Sequence, residues 1–461
     1  MIIFPHTSVA EIVAPAIPGP AAAQALAMQY QLEQTQWLPP AELFDYQRRQ
    51  LQMALSHALG TVPWYRTRLA GLDEGFLEDL SPERLRTLPV LTRVDIQNAG
   101  GGIKSESPPA HGQTYEIETS GTTGRAVKLI GNEVTRRMWQ AFSLRDHFWH
   151  RRDFTGRHAA IRWAKRGFGM PPGLQKKGWG VPTDDIFETG ESTFLNIIAD
   201  TQTQVEWLMR HDPDYLITHP SQAAALAEYC LRHDLKLTRL QHVRTVGETV
   251  SPQARAACRA AWGVAVVDGY SCEEAGYLAL QCPEHEQYHV QAENVYLEVV
   301  DEHNRPCAPG ETGRVLITTL HNFVTPLIRY EVGDYAEVGA PCACGRGLPV
   351  LTRVLGRTRN RLTLPGGETR FPYLGEREDH VAITTAVRKF QYVQHIETDI
   401  EVKMVVTEAL NAEQETRLRA LIARDLGYPF NITFSYHADI PAGPRGKYQE
   451  FVSEISGSSN L

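Results

Sequence analysis

Tyr215-Leu216-Ile217-Thr218, His242-Val243-Arg244-Thr245-Val246 and Val264-Ala265-Val266-Val267 are three short, largely apolar runs separated by helix-length intervals. The first is closed by His219-Pro220, after which Ser221 can cap a helix reaching roughly His233. The second ends at Gly247-Glu248. Ser251-Pro252 then offers an N-cap and a first-turn proline, and Gly263 sits where that helix should stop. The third run ends in Asp268-Gly269-Tyr270. Strand, helix, strand with apolar strands implies a right-handed parallel crossover. Such strands finish at one sheet edge, where open α/β sheets bind ligands.

The pattern changes on either side of this unit. The first hundred residues read as mainly helical, punctuated by Pro39-Pro40 and by Pro89 to Leu91. Val295 to Val300 and Arg314 to Thr319, separated by a Gly/Pro turn region, read as antiparallel strands. Beyond Gly356 the chain turns polar and basic, then enters a last segment with its own strand and helix patterns. The expected fold is therefore α/β. A large N-terminal domain over residues 1–356 holds parallel sheets and a β-rich subdomain; 357–361 form a hinge; 362–461 form a small, mobile α+β domain.

Composition narrows the function classes. A chain of 461 residues suits a large domain plus a smaller one. Lys and Arg total 46 against 54 Asp and Glu, a net charge of -8, which argues against a nucleic-acid partner. No apolar run approaches the roughly 20 residues a spanning helix needs, so no membrane partner is expected. The stretch from Met1 to roughly Ala27 contains no Lys or Arg, unlike the basic start of a secretory signal. Seven cysteines, odd in number and sparse, fit a reducing cytoplasm.

Thr119-Ser120-Gly121-Thr122-Thr123-Gly124-Arg125 lies between two strand-like runs, Thr114 to Glu118 and Val127 to Ile130. Its hydroxyls and glycines leave backbone amides bare and supply short donors, the means of wrapping phosphate oxygens. Lysine does not follow Gly124, so this is not the Gly-x4-Gly-Lys-Ser/Thr loop. Cys282, His285, His289, Cys342 and Cys344 form a second constellation, with Cys342-Ala343-Cys344-Gly345 a tight thiol turn. Three cysteines and one histidine make a closed structural zinc set.

These segments bring a family into view. Thr119 to Arg125 resembles the phosphate loop of adenylate-forming enzymes: acyl-CoA synthetases, peptide-synthetase adenylation domains and luciferases. Val62 to Arg66, Leu88 to Arg93, Asp268 to Gly276, Pro326 to Asp334, Cys342 to Gly345, Gly356-Arg357 and Gly446-Lys447 follow in order. They narrow the resemblance to the phenylacetate-CoA ligase-like branch, over roughly Pro63 to Phe451.

The resemblance implies roles. Thr119, Ser120, Gly121, Thr122, Thr123 and Gly124 would hold ATP phosphates, Thr122 among the catalytic groups. Gly247, Glu248, Asp268, Gly269 and Tyr270 would form the adenine slot, with Tyr270 stacked on the ring and Asp268 on its amino group. Asp334 and Arg357 would take the ribose, a carboxylate suiting a diol because it offers acceptors and no donor. Glu274 would hold Mg2+. Lys447 would reach the acyl carboxylate and the α-phosphate. Some members of this branch bind zinc at residues matching Cys282, His289, Cys342 and Cys344, with His285 the competitor for the histidine position. Ser271, Glu273 and Asn360 depart from the family pattern.

The implied reaction is activation of a carboxylic acid as its acyl-AMP, with release of pyrophosphate and transfer to coenzyme A. Transfer to an amine or a carrier-protein thiol is the alternative, and a non-catalytic nucleotide-binding homologue the third reading. A homodimer is compatible with all three. The acid is not legible. The aromatic and basic stretch Trp139 to Trp163 reads slightly better as core plus solvated face than as a pocket lining.

Overall fold

A computed structural model describes residues 4–72, 75–118, 127–165, 167–357, 361–370, 372, 374, 377–441, 443 and 447–455. Twelve strands form one mixed sheet. Its parallel half runs, in spatial order, Glu191–Asn196, His158–Arg162, Tyr215–Thr218, His242–Val246 and Ala265–Cys272. Leu174–Lys177 lies antiparallel on the outer edge. After Cys272 the chain reverses, and the order continues Gly276–Gln281, Tyr288–Val290, Val350–Arg357, Tyr330–Val338, Thr312–Thr319, Val295–Val300, every pair antiparallel.

The central crossover forms as its local signals dictate. Ser251 caps Pro252–Trp262 by accepting from the Ala254 N–H at 3.2 Å, and Gly263 closes it in the left-handed region at φ 72°. The preceding helix differs from expectation. It spans Pro220–Arg232 with His219 at the N-cap, because Pro220 takes the first helical position. Ser221 lies inside the first turn, where its N–H donates to Glu248 instead. Leu216, Val243, Val266, Leu226 and Ala257 are buried together between strands and helices.

The N-terminal helices brace the antiparallel half. Tyr65 is 1% exposed; its hydroxyl donates to the Pro326 carbonyl at 3.0 Å and accepts from the Ile328 N–H at 2.9 Å. Leu91 pairs with the chain at Tyr330, its N–H reaching the Arg329 carbonyl at 3.0 Å and its carbonyl taking the Glu331 N–H at 2.9 Å. Arg329, 1% exposed, is neutralised by Glu298 at 3.0 Å and also donates to the Arg86 and Leu88 carbonyls. A buried guanidinium is tolerated only when paired and hydrogen-bonded this fully. The signature segments near residues 62 and 88 are thus clamps on Pro326 to Glu331, which leads directly into Asp334.

Thr114–Glu118 pairs antiparallel with Lys128–Asn132, and Glu118 faces Lys128 at the end of this hairpin. It is tied to the main body by Asn322, which donates to the Ile130 carbonyl at 3.1 Å, and by Thr325, which accepts from the Ile130 N–H at 3.1 Å.

A smaller C-terminal domain has its own four-stranded sheet, in the order Asn431–Tyr436, Asp399–Val406, Val387–Ile396, Phe451–Ser453. Its core holds Tyr392, Ile400, Val402, Met404, Leu418, Ile422 and Phe451, against the helix Ala412–Leu426. Among the described residues no helix is long and apolar enough to cross a membrane.

Candidate active site and metal centre

The parallel strands end together, so His219, Glu248 and Asp268 to Tyr270 share one sheet edge. Gly247 turns that edge at φ 84°, a conformation that favours glycine. A Cβ there would lie 3.2 Å from His219 Cε1 and 3.3 Å from Lys447 Cε. The Lys447 side chain, from the C-terminal domain, therefore crosses the strand end where a side chain at 247 would crowd it. Glu248 holds the crossing in place. One carboxylate oxygen accepts from the Ser221 N–H at 3.0 Å, at a helix N-terminus that favours negative charge, and the other accepts from the Tyr448 N–H. The Tyr448 hydroxyl donates to the Phe390 carbonyl.

Next along the edge, the Tyr270 hydroxyl donates to Asp334 Oδ2 at 3.0 Å. The strand register sets Asp334 opposite Arg357, the pair expected at a ribose, although the Arg357 side chain lies outside the described residues. The Tyr330 hydroxyl donates to Glu274 at 3.3 Å, and Glu274 is 8% exposed. Asp268 lies at this edge too. Its two oxygens accept from the Thr245 and Tyr288 hydroxyls, each at 2.7 Å, and burial holds its carboxyl above the usual range. It fastens three strands together; Gly269, beside it, pairs with Val246 and Leu280. Glu248 is likewise committed to two backbone N–H groups.

Thr119, Ser120, Gly121, Thr122, Thr123, Gly124 and Arg125 lie outside the described residues, as do Asn360 and Gly446. The hairpin stem at Tyr115 and Ile117 borders a cavity of about 40 Å3. It is lined by Tyr115, Trp139, Glu273, Glu274, Gly276 and His321, among others. The stretch 139–163 divides: Phe142 and Trp149 are core, Arg145 is buried against Glu293 at 2.8 Å, and Trp139 lines the cavity. His321, Tyr448 and Glu450 escaped the sequence reading. Tyr448 and Glu450 follow Lys447 directly and could have been found as its neighbours; no local signal marks His321.

The four residues that the family resemblance implied as a zinc set come together. One donor atom each from Cys282, His289, Cys342 and Cys344 lies within 4.8 Å of the others, and His285 is outside the set, on a neighbouring groove. Cys282 and Cys342 sulfurs are 3.8 Å apart, and Cys344 Sγ is 3.3 Å from His289 Nε2. Burial pushes the Cys282 thiol up to about 12 and the His289 imidazole down to about 4. Three sulfurs and a neutral imidazole are the donors of a closed tetrahedral zinc site. Arg346, next to it, stacks between Trp37 and Trp149 at 4.7 and 4.8 Å. A Cβ on Gly347 would lie 1.7 Å from the Leu38 carbonyl oxygen. This knuckle therefore grips the N-terminal helices.

Residues 193–324 match the AMP-binding enzyme family and residues 379–454 the CapK C-terminal domain. The chain is 25% identical over 339 residues to the phenylacetate-coenzyme A ligase of Escherichia coli (strain K12), covering 70% of this chain and 73% of the relative. The Pseudomonas putida phenylacetate-coenzyme A ligase is 24% identical over 340 residues, 70% of this chain and 72% of the relative. Among solved structures, 2-hydroxyisobutyryl-CoA ligase in the postadenylation state with 2-HIB-AMP aligns at TM-score 0.71, 19% identity and 92% of both chains. The same enzyme in the thioesterification state with 2-HIB-AMP and CoA gives 0.59 at 20% identity and 91% of both chains.

Glu450 sits behind the domain seam, where burial, then the charge of Glu248, raises its carboxyl to about 7. A carboxyl raised in the folded state adds stability that is full below its ordinary value of 4.5 and is lost as pH climbs through about 7. Glu450→Gln should remove this loss. Its thermal midpoint should gain on wild type as pH rises from 5 to about 8; a difference that stays constant across that range would show that Glu450 does not titrate there.

Proposed function

This chain belongs to the adenylate-forming enzymes and is an AMP-forming acid–thiol ligase, and on that premise we propose that it activates a small organic acid as its acyl-AMP and passes the acyl group to coenzyme A. The observation that carries this reading is the crossing of Lys447 over Gly247, on the sheet edge that also bears the Tyr270–Asp334 pair. An anionic carboxylate must attack an anionic α-phosphorus while the bond to pyrophosphate breaks. A positioned ammonium offsets that repulsion, and it is most effective where protein excludes water.

The other residues take roles around that event. The amides and hydroxyls of Thr119 to Gly124, including Thr122, receive the triphosphate. Asp334, oriented by Tyr270, accepts from the ribose hydroxyls with Arg357 beside it. Glu274, steadied by Tyr330, is a hard oxygen donor next to a second carboxylate, Glu273, and this pair suits Mg2+. Bound there, the cation would supply neutralising charge to the phosphates. In the second half-reaction the thiol of coenzyme A attacks the acyl carbonyl and AMP leaves, after the small domain has swung about 357–361. Cys282, His289, Cys342 and Cys344 would hold zinc as a structural staple between the nucleotide-binding strands and the N-terminal helices.

Wild-type protein with ATP, Mg2+, hydroxylamine and a panel of acids should yield a hydroxamate from at least one acid. Asp334→Ala should raise the KM for ATP about tenfold or more, as expected when a charged hydrogen bond is lost. Coenzyme A in place of hydroxylamine should give the thioester by mass; product only with amines would move the second step to amide synthesis, and no product with any acid would refute the reading. Metal analysis should find one zinc per chain in wild type. Cys342→Ser should lose it and melt at a lower temperature, and a metal-free wild type of equal stability would contradict the zinc assignment.

A further inference from the structure

Lys447 comes to the sheet edge from the C-terminal domain on a flexible four-carbon stem, and a charge on such a stem counts in a transition state only where the stem is confined. The turn His219-Pro220-Ser221 supplies a confining surface. His219 is 5% exposed, and its Nδ1 donates to the Val246 carbonyl at 2.7 Å. That bond sets the orientation of the ring. Two residues on, the Ser221 N–H donates to Glu248 at 3.0 Å. The two bonds staple one strand end to the next on either side of Gly247, and Glu248 also takes the Tyr448 N–H. At Gly247, the space a side chain would fill is bounded by His219, with Cε1 at 3.2 Å and Nδ1 at 3.3 Å from the Cβ position, and by Lys447, with Cε at 3.3 Å. An anchored ring and the end of a flexible stem thus border one small volume. The bond at Tyr448 fixes where the stem begins; the ring limits where it ends.

We infer that His219 is a positioning residue for acyl-AMP formation: its ring, tied to the Val246 carbonyl, is a wall that holds the Lys447 stem so that the ammonium is aimed at the reacting carboxylate and α-phosphate. The inference deepens the adenylating role given to Lys447 and rests on it. His219 acts through the lysine and not on the substrate. On that reading it serves the first half-reaction alone, because Lys447 leaves with the small domain before the thiol attacks, whereas His219 stays with the sheet. A wall of this kind matters because a displacement of about 1 Å in a reacting group can cost up to about a hundredfold in rate.

The test is a double-mutant cycle on acid-dependent exchange of labelled pyrophosphate into ATP, using His219→Ala, Lys447→Ala and the pair. His219→Ala should lower kcat for exchange about tenfold or more while the KM for ATP stays within about threefold. On the Lys447→Ala background the same change should cost no more than about twofold, because without the lysine there is nothing to position. Thioester formation from preformed acyl-AMP and coenzyme A should stay within a few-fold of wild type in His219→Ala. His219→Asn, whose amide can donate to the Val246 carbonyl from the place of Nδ1, should recover part of the exchange; His219→Gln, whose amide falls at the place of Nε2, should not. Losses that multiply in the cycle, or equal loss of both half-reactions in His219→Ala, would overturn the inference alone. If His219→Ala folds poorly, equal exchange by the Asn and Gln variants overturns it instead. Exchange with no acid in wild type, or full exchange in Lys447→Ala, would remove the adenylating role and the inference with it.

Discussion

The Glu248 carboxylate is shared between two backbone N–H groups that belong to different domains, Ser221 at the start of a helix and Tyr448 one residue after Lys447. That sharing links the sheet edge to the small domain and leaves the lysine lying across Gly247. A carboxylate is the right connector. It offers two acceptors, it is stabilised by the helix N-terminus, and its bonds to N–H groups are stronger than neutral ones.

Around this seam several polar groups are held in a dry place by pairing. Arg329 is neutralised by Glu298, Asp268 is held by Thr245 and Tyr288, and Glu274 accepts from Tyr330. Tyr65 and Leu91 then fix the backbone from Pro326 to Glu331. Helices from the far N-terminus close on the strand that carries Asp334, and the cysteine-histidine knuckle closes on the N-terminal helices through Arg346 and Gly347.

Much of this was legible in the sequence, for identifiable reasons. Apolar runs with local caps at Ser251 and Gly263 are short-range signals, so the parallel crossover followed from them. The cysteines were legible because thiols at turn spacing have few other uses, whereas the choice of His289 over His285 came from the family resemblance and not from the spacing. What escaped depends on distant pairing. That the antiparallel strands from Val295 to Arg357 join the rest of the sheet rests on Tyr288 meeting Leu351, across a separation no local pattern encodes. The inward role of Asp268 needs Thr245 and Tyr288 from flanking strands. Glu248 as a seam residue needs Tyr448, 200 positions away. Ser221 was displaced from the cap because a proline beside it took the first helical position.

The account stands or falls on Lys447 serving acyl-AMP formation from across the seam. The direct measurement separates the two half-reactions in Lys447→Ala, following acid-dependent exchange of labelled pyrophosphate into ATP and, separately, thioester formation from preformed acyl-AMP and coenzyme A. Exchange should fall about a hundredfold or more, the cost of removing one electrostatic group from a transition state, while thioester formation from the adenylate stays within a few-fold of wild type. Equal loss of both half-reactions, or full retention of exchange, would contradict it.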